Sequence, residues 1–182
     1  LWYFGKDLPD YKELSKYNPD VVTRIHADNG ALLAEYAIQK RVFVPISVIP
    51  KKVINAFISA EDKSFYNHFG IDLKATLRAL ITNIKNFGTS KRLIGASTIT
   101  QQVAKNFLLS SELSYERKIK EAILAIRIER AFSKNEILEL YLNEIYLGFK
   151  SYGVAAAALN YFDKSLDNLD LSEAAFLAAL PK

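Results

Sequence analysis

Cysteine is absent from this chain of 182 residues, which excludes disulfide bonds, thiolate catalysis and cysteine-ligated zinc sites. No apolar run approaches the roughly 20 residues that a helix needs to span a bilayer. Hydrophobic residues nevertheless make up 50% of the sequence, enough to bury a sizeable core. These features predict one ordered domain with room for two lobes, and they exclude a disordered chain.

Acidic residues are missing from one long stretch, since none lies between Asp72 and Glu112. The same stretch contains Lys74, Arg78, Lys85, Lys91, Arg92 and Lys105. The net charge of +4 is too small to predict nucleic-acid binding. We interpret the basic stretch as a surface for an anionic partner, either a phosphate group or a lipid surface. A solvated basic face is the alternative.

The chain also lacks an initiator methionine. It opens on Leu1-Trp2-Tyr3-Phe4, an aromatic cluster of the kind found at membrane interfaces, and stops at Pro181-Lys182 just after an apolar helical pattern. Both ends indicate a piece of a longer protein, whose membrane anchor would precede residue 1.

Hydrophobic periodicity predicts a mainly α chain with one short β element. Two β-compatible runs, 21–27 and 31–37, flank Asp28-Asn29-Gly30, whose Asn-Gly pair favours a hairpin turn. Capping boxes are predicted at Ser133 with Glu136 and at Asp170 with Glu173. Helices are predicted at about 51–61, 73–86, 98–109, 115–131, 134–146, 151–161 and 172–179.

A carboxylate pair, Glu61-Asp62, ends the first helical pattern. Glu61 falls on the same face as Phe57 and Ile58, where charge is costly unless it is paired, protonated or used as an acid or base. We expect Asp62 and His68 to form a clasp within the following loop rather than to take part in chemistry. Phe65, between them, is expected to pack in the core.

The segment 95–106 runs from small residues through a Ser or Thr N-cap into a helix. Free N–H groups at that helix start, the helix dipole and Lys105 could together hold a phosphate-like anion. An ordinary capped amphipathic helix is the alternative. One face of this helix is apolar, and the other carries Thr98, Gln101, Gln102 and Lys105.

A second carboxylate, Glu121, is embedded in an apolar helical pattern that should be largely buried. Arg117 and Lys118 lie four and three residues before it, so both can pair with it. The pattern fits either a structural ion pair or a site that binds an anionic leaving group.

These segments, in this order, resemble glycosyltransferase family 51, the peptidoglycan glycosyltransferase domain of class A penicillin-binding proteins. The Glu-Asp-x-x-Phe-x-x-His-x-Gly motif stands at 61–70, Gly-x-Ser-Thr-x-Thr-Gln-Gln at 95–102, and Arg-Lys-x-x-Glu at 117–121. Blocks at 137–148 and 152–162 resemble the fourth and fifth motifs of the family. The opening Lys-Asp-Leu-Pro and the hairpin look like the bifunctional class A proteins.

The resemblance implies a lysozyme-like, two-lobed helical fold with a short N-terminal β-hairpin. Residues 1–46 would be the linker and hairpin after the missing anchor, and 47–182 the glycosyltransferase domain. The implied activity is polymerisation of lipid II into glycan strands by inverting transfer, with undecaprenyl pyrophosphate leaving. The implied location is the outer face of the bacterial cytoplasmic membrane. Expected partners are lipid II, the growing glycan chain, a lipid surface and a C-terminal transpeptidase domain, without nucleic acid.

The resemblance also assigns roles to residues. Glu61 matches the general base that deprotonates the acceptor hydroxyl. Glu121, with Lys118 and Lys120, matches residues that assist at the donor pyrophosphate or keep the electrostatics of the site in order. No cofactor and no resident metal site are expected, although a divalent cation (Mg or Mn) bridges the pyrophosphate in some relatives. Further substrate contacts are expected from Arg78, Ser97, Gln101, Gln102, Lys105, Asn106 and Arg117.

Two departures from the family pattern stand out. Leu93-Ile94 replaces the glycine-rich lead into the second motif, and Leu113 stands where many relatives carry an arginine that Arg92 could replace. Three other functions remain open. They are a lysozyme-like glycan hydrolase, a metal-dependent phosphodiesterase that uses Glu61, Asp62 and His68 without a second ligand cluster, and a non-enzymatic membrane-surface module.

Overall fold

The computed structural model describes residues 8–16, 23–28, 32–36, 40–89, 91, 94–109 and 114–181. Helices dominate these ranges, which confirms the mainly α prediction. They are α1 (Lys51–Glu61), α2 (Leu73–Lys85), α3 (Ile99–Leu108), α4 (Tyr115–Ala131), α5 (Lys134–Glu144), α6 (Val154–Phe162) and α7 (Leu171–Ala178).

Short strands accompany the helices. Strands β1 (Thr23–His26) and β2 (Leu32–Tyr36) pair antiparallel, with Thr23 opposite Tyr36, which confirms the predicted strand pair. The predicted turn residues Asn29 and Gly30 lie outside the described residues. Strand β3 (Lys40–Arg41) runs parallel to β4 (Ser151–Tyr152), so the segment before α1 is joined to the segment before α6.

Helix ends follow local chemistry. The capping boxes at Ser133 and Asp170 are confirmed, and Thr98 forms another with Gln101. The predicted helix at 151–161 begins later, at Val154, because residues 151–152 form β4 and Gly153 has a φ of 81° that a helix cannot contain. Helix α5 ends at Glu144, where Ile145 takes an extended conformation.

Helix α3 lies at the centre of the core, packed against both α4 and α5, while α1 packs against α7. Each buried aliphatic or aromatic side chain in this core contributes roughly 1.5–3 kcal/mol relative to exposure. This packing brings the end of α1, the start of α3 and the middle of α4 together. The fully buried side chains include Phe57, Ile99, Leu124, Ile128, Ile137 and Leu138.

Helix α2 departs from this pattern because its apolar side chains face outward. Only Ala79 of this helix is buried. No helix within the described ranges combines the length and the hydropathy needed to cross a membrane. The exposed apolar face, α2 with the turn after it, comprises Leu73, Leu77, Leu80, Ile81, Ile84 and Phe87.

Candidate active site

The end of α1 and the second turn of α3 form one wall of a cleft. Glu61, the last residue of α1, is half-buried and accepts a hydrogen bond at Oε2 from Gln102 Nε2 at 2.7 Å. An amide donor at this position fixes the orientation of the carboxylate. The cleft has a volume of about 550 Å³ and is lined by Ala60, Glu61, Gly95, Ser97, Gln102, Lys105, Arg117, Lys118, Glu121 and Pro181.

Helix α4 forms the opposite wall and carries the second carboxylate. Glu121 is only 2% exposed and pairs with Lys118, whose Nζ also donates to Ser97 Oγ at 2.8 Å. The predicted ion pair is therefore formed by Lys118 rather than by Arg117, which lines the same cleft. A buried carboxylate in this position holds the ammonium group of Lys118 at the surface of the cleft.

Asp62 lies next to Glu61 but on the protein side. Its Oδ2 accepts hydrogen bonds from His68 Nε2 at 2.9 Å and from the Ile99 N–H at 3.0 Å. The structure thus forms the predicted clasp with His68 and extends it to the start of α3. The Thr98 hydroxyl adds a bond to the Gly70 carbonyl at 2.6 Å. The loop after α1 is fastened to α3, so Asp62 is a structural neighbour of Glu61.

A partly buried cation, Lys134, holds the same loop from the protein side, and the sequence did not predict it. Lys134 Nζ donates to the His68 carbonyl at 2.8 Å and to Glu129 Oε1 at 2.7 Å. It also lies 4.4 Å from the centroid of the Phe65 ring, which is fully buried as expected. Glu129 accepts a further bond from the Thr100 hydroxyl at 2.6 Å. These contacts join α3, α4 and α5 under the cleft.

A second cleft continues from the first. It has a volume of about 630 Å³, and Lys105 lines both clefts. The predicted residue Asn106 lines only the second one, together with side chains that follow α5. The rest of its lining is Glu144, Ile145, Tyr146, Leu147, Gly148, Tyr152, Tyr161 and Leu180.

Three predicted substrate-binding residues do not line either cleft. Gln101 is buried, and its Oε1 accepts from the Thr98 N–H as part of the helix cap. Lys120 pairs with Glu116 at 3.0 Å, and Arg78 is exposed on α2. The structure therefore gives Gln101 and Lys120 local structural partners. Leu113 and Arg92 lie outside the described residues.

Tyr141, on α5, is a buried polar group that does not line the first cleft. Burial, together with the negative charges of Glu61 and Asp62, raises the pKa of Tyr141 well above its usual value. Within the described part of the chain, no three carboxylate or imidazole groups come together as metal ligands.

The chain is similar in sequence to known proteins. A family model described as transglycosylase matches residues 29–182. The chain is 57% identical over 182 residues to penicillin-binding protein 1A of Rickettsia felis, covering 100% of this chain and 23% of that protein. The Aquifex aeolicus protein of the same name is 52% identical over 177 residues, covering 97% and 24%. The crystal structure of penicillin-binding protein 1A from Haemophilus influenzae is 28% identical with a TM-score of 0.40, covering 88% of this chain and 14% of that one.

A helical domain that sets a half-buried carboxylate opposite a cation-bearing wall has the groups that a glycosyl-transferring enzyme needs, a base and fixed positive charge. The family match makes the class specific. The chain belongs to the transglycosylase family, the peptidoglycan glycosyltransferases of class A penicillin-binding proteins, as its ordered motifs predicted. It spans only 23% or 24% of the length of the curated relatives named above.

Proposed function

We propose that this chain polymerises lipid II into glycan strands by inverting transfer, with undecaprenyl pyrophosphate as the leaving group. The observation that carries the proposal is the pairing of walls across one cleft. Glu61 with its amide donor Gln102 lies on one side, and Arg117, Lys118 and the buried Glu121 lie on the other. The family match supports the reaction class, and the two walls supply the base and the cations that it needs.

Glu61 is the proposed general base. It takes the proton from the 4-hydroxyl of the acceptor sugar, and the oxygen then attacks the anomeric carbon of the donor chain while the bond to the pyrophosphate oxygen breaks. Gln102 holds one carboxylate oxygen at 2.7 Å, which leaves the other oxygen for the incoming hydroxyl. Partial burial of Glu61 limits competition from water.

The cations of the cleft are proposed to receive the leaving group. Pyrophosphate is a weak base and needs no strong acid, but the negative charge that develops on its oxygen needs fixed positive charge close by. Lys105, Arg117 and Lys118 line the cleft, and Ser97 orients Lys118 through its hydroxyl. Glu121 acts by holding Lys118 in place.

The exposed apolar face of α2 is proposed to rest in the headgroup region of the outer leaflet of the bacterial cytoplasmic membrane. Leu77 and Ile84 are more than half exposed, and Lys74 and Lys85 on the same helix are exposed as well. Apolar side chains flanked by lysines suit an interface rich in anionic lipid. This placement would present the cleft to a lipid-linked substrate.

A further domain is proposed for the protein that contains this chain. The larger part of each named relative lies outside the match, which supports a C-terminal transpeptidase domain beside the glycosyltransferase. The growing glycan chain would then be the substrate shared by the two domains.

Polymerisation of lipid II by wild-type protein and by Glu61→Gln tests the mechanism. The amide cannot accept the proton, so the rate should fall by about 10²- to 10⁴-fold with the fold intact. Glu116→Gln is the matched control, because Glu116 is exposed and pairs with Lys120 outside the cleft. Glycan synthesis by Glu61→Gln at the wild-type rate would contradict the base assignment. Cleavage of purified glycan without use of lipid II would instead identify a hydrolase.

A further inference from the structure

The Tyr141 hydroxyl is buried away from water and forms no hydrogen bond within the described residues. The residue is 1% exposed, and among the described residues none forms a hydrogen bond with its hydroxyl. A buried hydroxyl without a partner costs free energy, whereas phenylalanine would fill nearly the same volume without that cost. The proposed reaction does not use the Tyr141 hydroxyl.

The Tyr141 ring packs against the helix that carries the base. The Tyr141 ring packs edge-on against Phe57, with centroids 6.2 Å apart and an interplanar angle of 74°. Phe57 lies four residues before Glu61 on α1, so the two share one face of that helix. Burial raises the pKa of Tyr141, and the negative charges of Glu61 and Asp62 raise it further, in keeping with a hydroxyl on this side of the core.

The two carboxylates differ in their capacity for another donor. Asp62 already accepts from His68 through both oxygens and from the Ile99 N–H. Glu61 accepts one hydrogen bond from the described residues, at Oε2 from Gln102. Of the pair, Glu61 has the unused acceptor sites.

We propose that Tyr141 is a positioning residue for Glu61, whose buried hydroxyl donates a hydrogen bond to that carboxylate when the substrate recruits the Gln102 amide. The inference rests on the proposed function, in which Glu61 is the base, and on the substrate contact that the family resemblance implies for Gln102. Tyr141 does not touch the sugars. It keeps the ionised carboxylate aimed at the acceptor hydroxyl from the protein side, where water does not compete.

The test compares wild-type protein with Tyr141→Phe. Thermal unfolding should occur at the same or a higher temperature, because a hydroxyl without a partner is removed. The kcat for lipid II polymerisation should fall by about 10- to 100-fold, the range for losing a hydrogen bond to a charged group, with little change in KM. The acid limb of the rate profile should move to higher pH, since the ionised base has lost a donor.

The pH readout isolates Glu61 because its other charged neighbours are unchanged in the variant. These are Lys105, Arg117, Lys118 and Glu121 around the cleft, and the Asp62–His68 pair behind it. Tyr11→Phe is the matched control, since Tyr11 is half-buried, packs on the core and lines neither cleft.

Two results overturn the inference and leave the proposed function standing. One is Tyr141→Phe with wild-type kcat and pH profile, which would make the hydroxyl an unpaired core group only. The other is lower stability with an unchanged rate per folded molecule. Failure of the wild-type protein to polymerise lipid II would overturn the proposed function as well, and it is seen separately because it needs no variant.

Discussion

Gly70 shows how closely the loop after α1 approaches α4. Its φ is +87°, and a Cβ built on it would lie 2.7 Å from the backbone carbon and oxygen of Ala125. Backbone atoms cannot swing aside as side chains do. The glycine of the first motif is therefore required by close approach as well as by conformation.

Gly88 provides a matched control for Gly70→Ala. Its φ is +81°, but a Cβ there meets nothing within 4 Å. Gly88→Ala should lower the free energy of unfolding by roughly 1–2 kcal/mol, the conformational cost alone. Gly70→Ala should cost at least about 3 kcal/mol because displacement of α4 is added. Urea denaturation of both variants measures the difference, and equal losses would show that α4 yields without cost.

The sequence was enough to assign different roles to Glu61 and Asp62, because the partner of Asp62 lies only a few residues away. The clasp between Asp62 and His68 was predicted because only a short loop divides them. The bond from Asp62 to the Ile99 N–H joins segments far apart in sequence and needed the structure. The Lys120–Glu116 pair obeys the four-residue helical rule, so it is a local signal that the sequence contains.

At the scale of elements, the start of α2 depends on one carboxylate. Asp72 caps the helix by accepting from the Ala75 N–H at 2.9 Å. This hydrogen bond holds the pKa of Asp72 below its usual value of 3.8. A lowered pKa means that the ionised cap stabilises the fold above pH 3.8 and that this contribution is lost as the pH falls through the lowered pKa.

Asp72→Ala should therefore destabilise the protein by about 1 kcal/mol at neutral pH and by progressively less in acid. Asp72→Asn separates the cap from its charge, because asparagine also caps helices but does not titrate in this range. The asparagine variant should keep most of the neutral-pH stability and lose the acid dependence of this site. Thermal unfolding as a function of pH measures both, and parallel profiles for all three proteins would contradict the assignment.

The Lys134–Glu129 pair joins α5 to α4, and Glu129 also bonds Thr100 on α3, a contact that the sequence did not predict. Glu129 is 4% exposed at its side chain, so removal of its cation leaves a buried charge. Lys134→Met should cost about 3–5 kcal/mol. Adding Glu129→Gln should recover part of that loss, because the amide is neutral and still accepts from Thr100. A double-mutant cycle by urea denaturation checks the coupling, and strict additivity of the two changes would exclude it.

Helix identity was predictable and the connections were not. Periodicity located the α-helices of the described residues within a few positions, because an apolar stripe and a capping residue are local signals. Asn143, in contrast, bonds both the N–H and the carbonyl of Val44, and Glu139 bonds the Ile46 N–H. These contacts join the segment before α1 to α5, between residues 99 and 93 positions apart in the chain. No local sequence pattern predicts them.

At the scale of the whole molecule, we predict that the apolar face of α2 binds the membrane. Ile84→Gln should weaken binding to vesicles of anionic lipid by roughly tenfold, in line with the transfer free energy of one large aliphatic side chain. Leu171→Gln is the control, since Leu171 is 69% exposed on α7 and should not contact lipid. Vesicle sedimentation at two salt concentrations also reports the contribution of the lysines. Equal loss in both variants would indicate binding without a preferred face.

Lys105 lines both clefts, so the two clefts adjoin at this side chain and together form the trench. A chain that occupies the trench along its length can lose its contacts in one half while the other half still holds it. Reattachment is then intramolecular and depends on an effective concentration, of the order of millimolar for short tethers, rather than on the amount of polymer in solution. If the chain polymerises lipid II as proposed, the number of sugars added per encounter should depend on how often both halves release the polymer together.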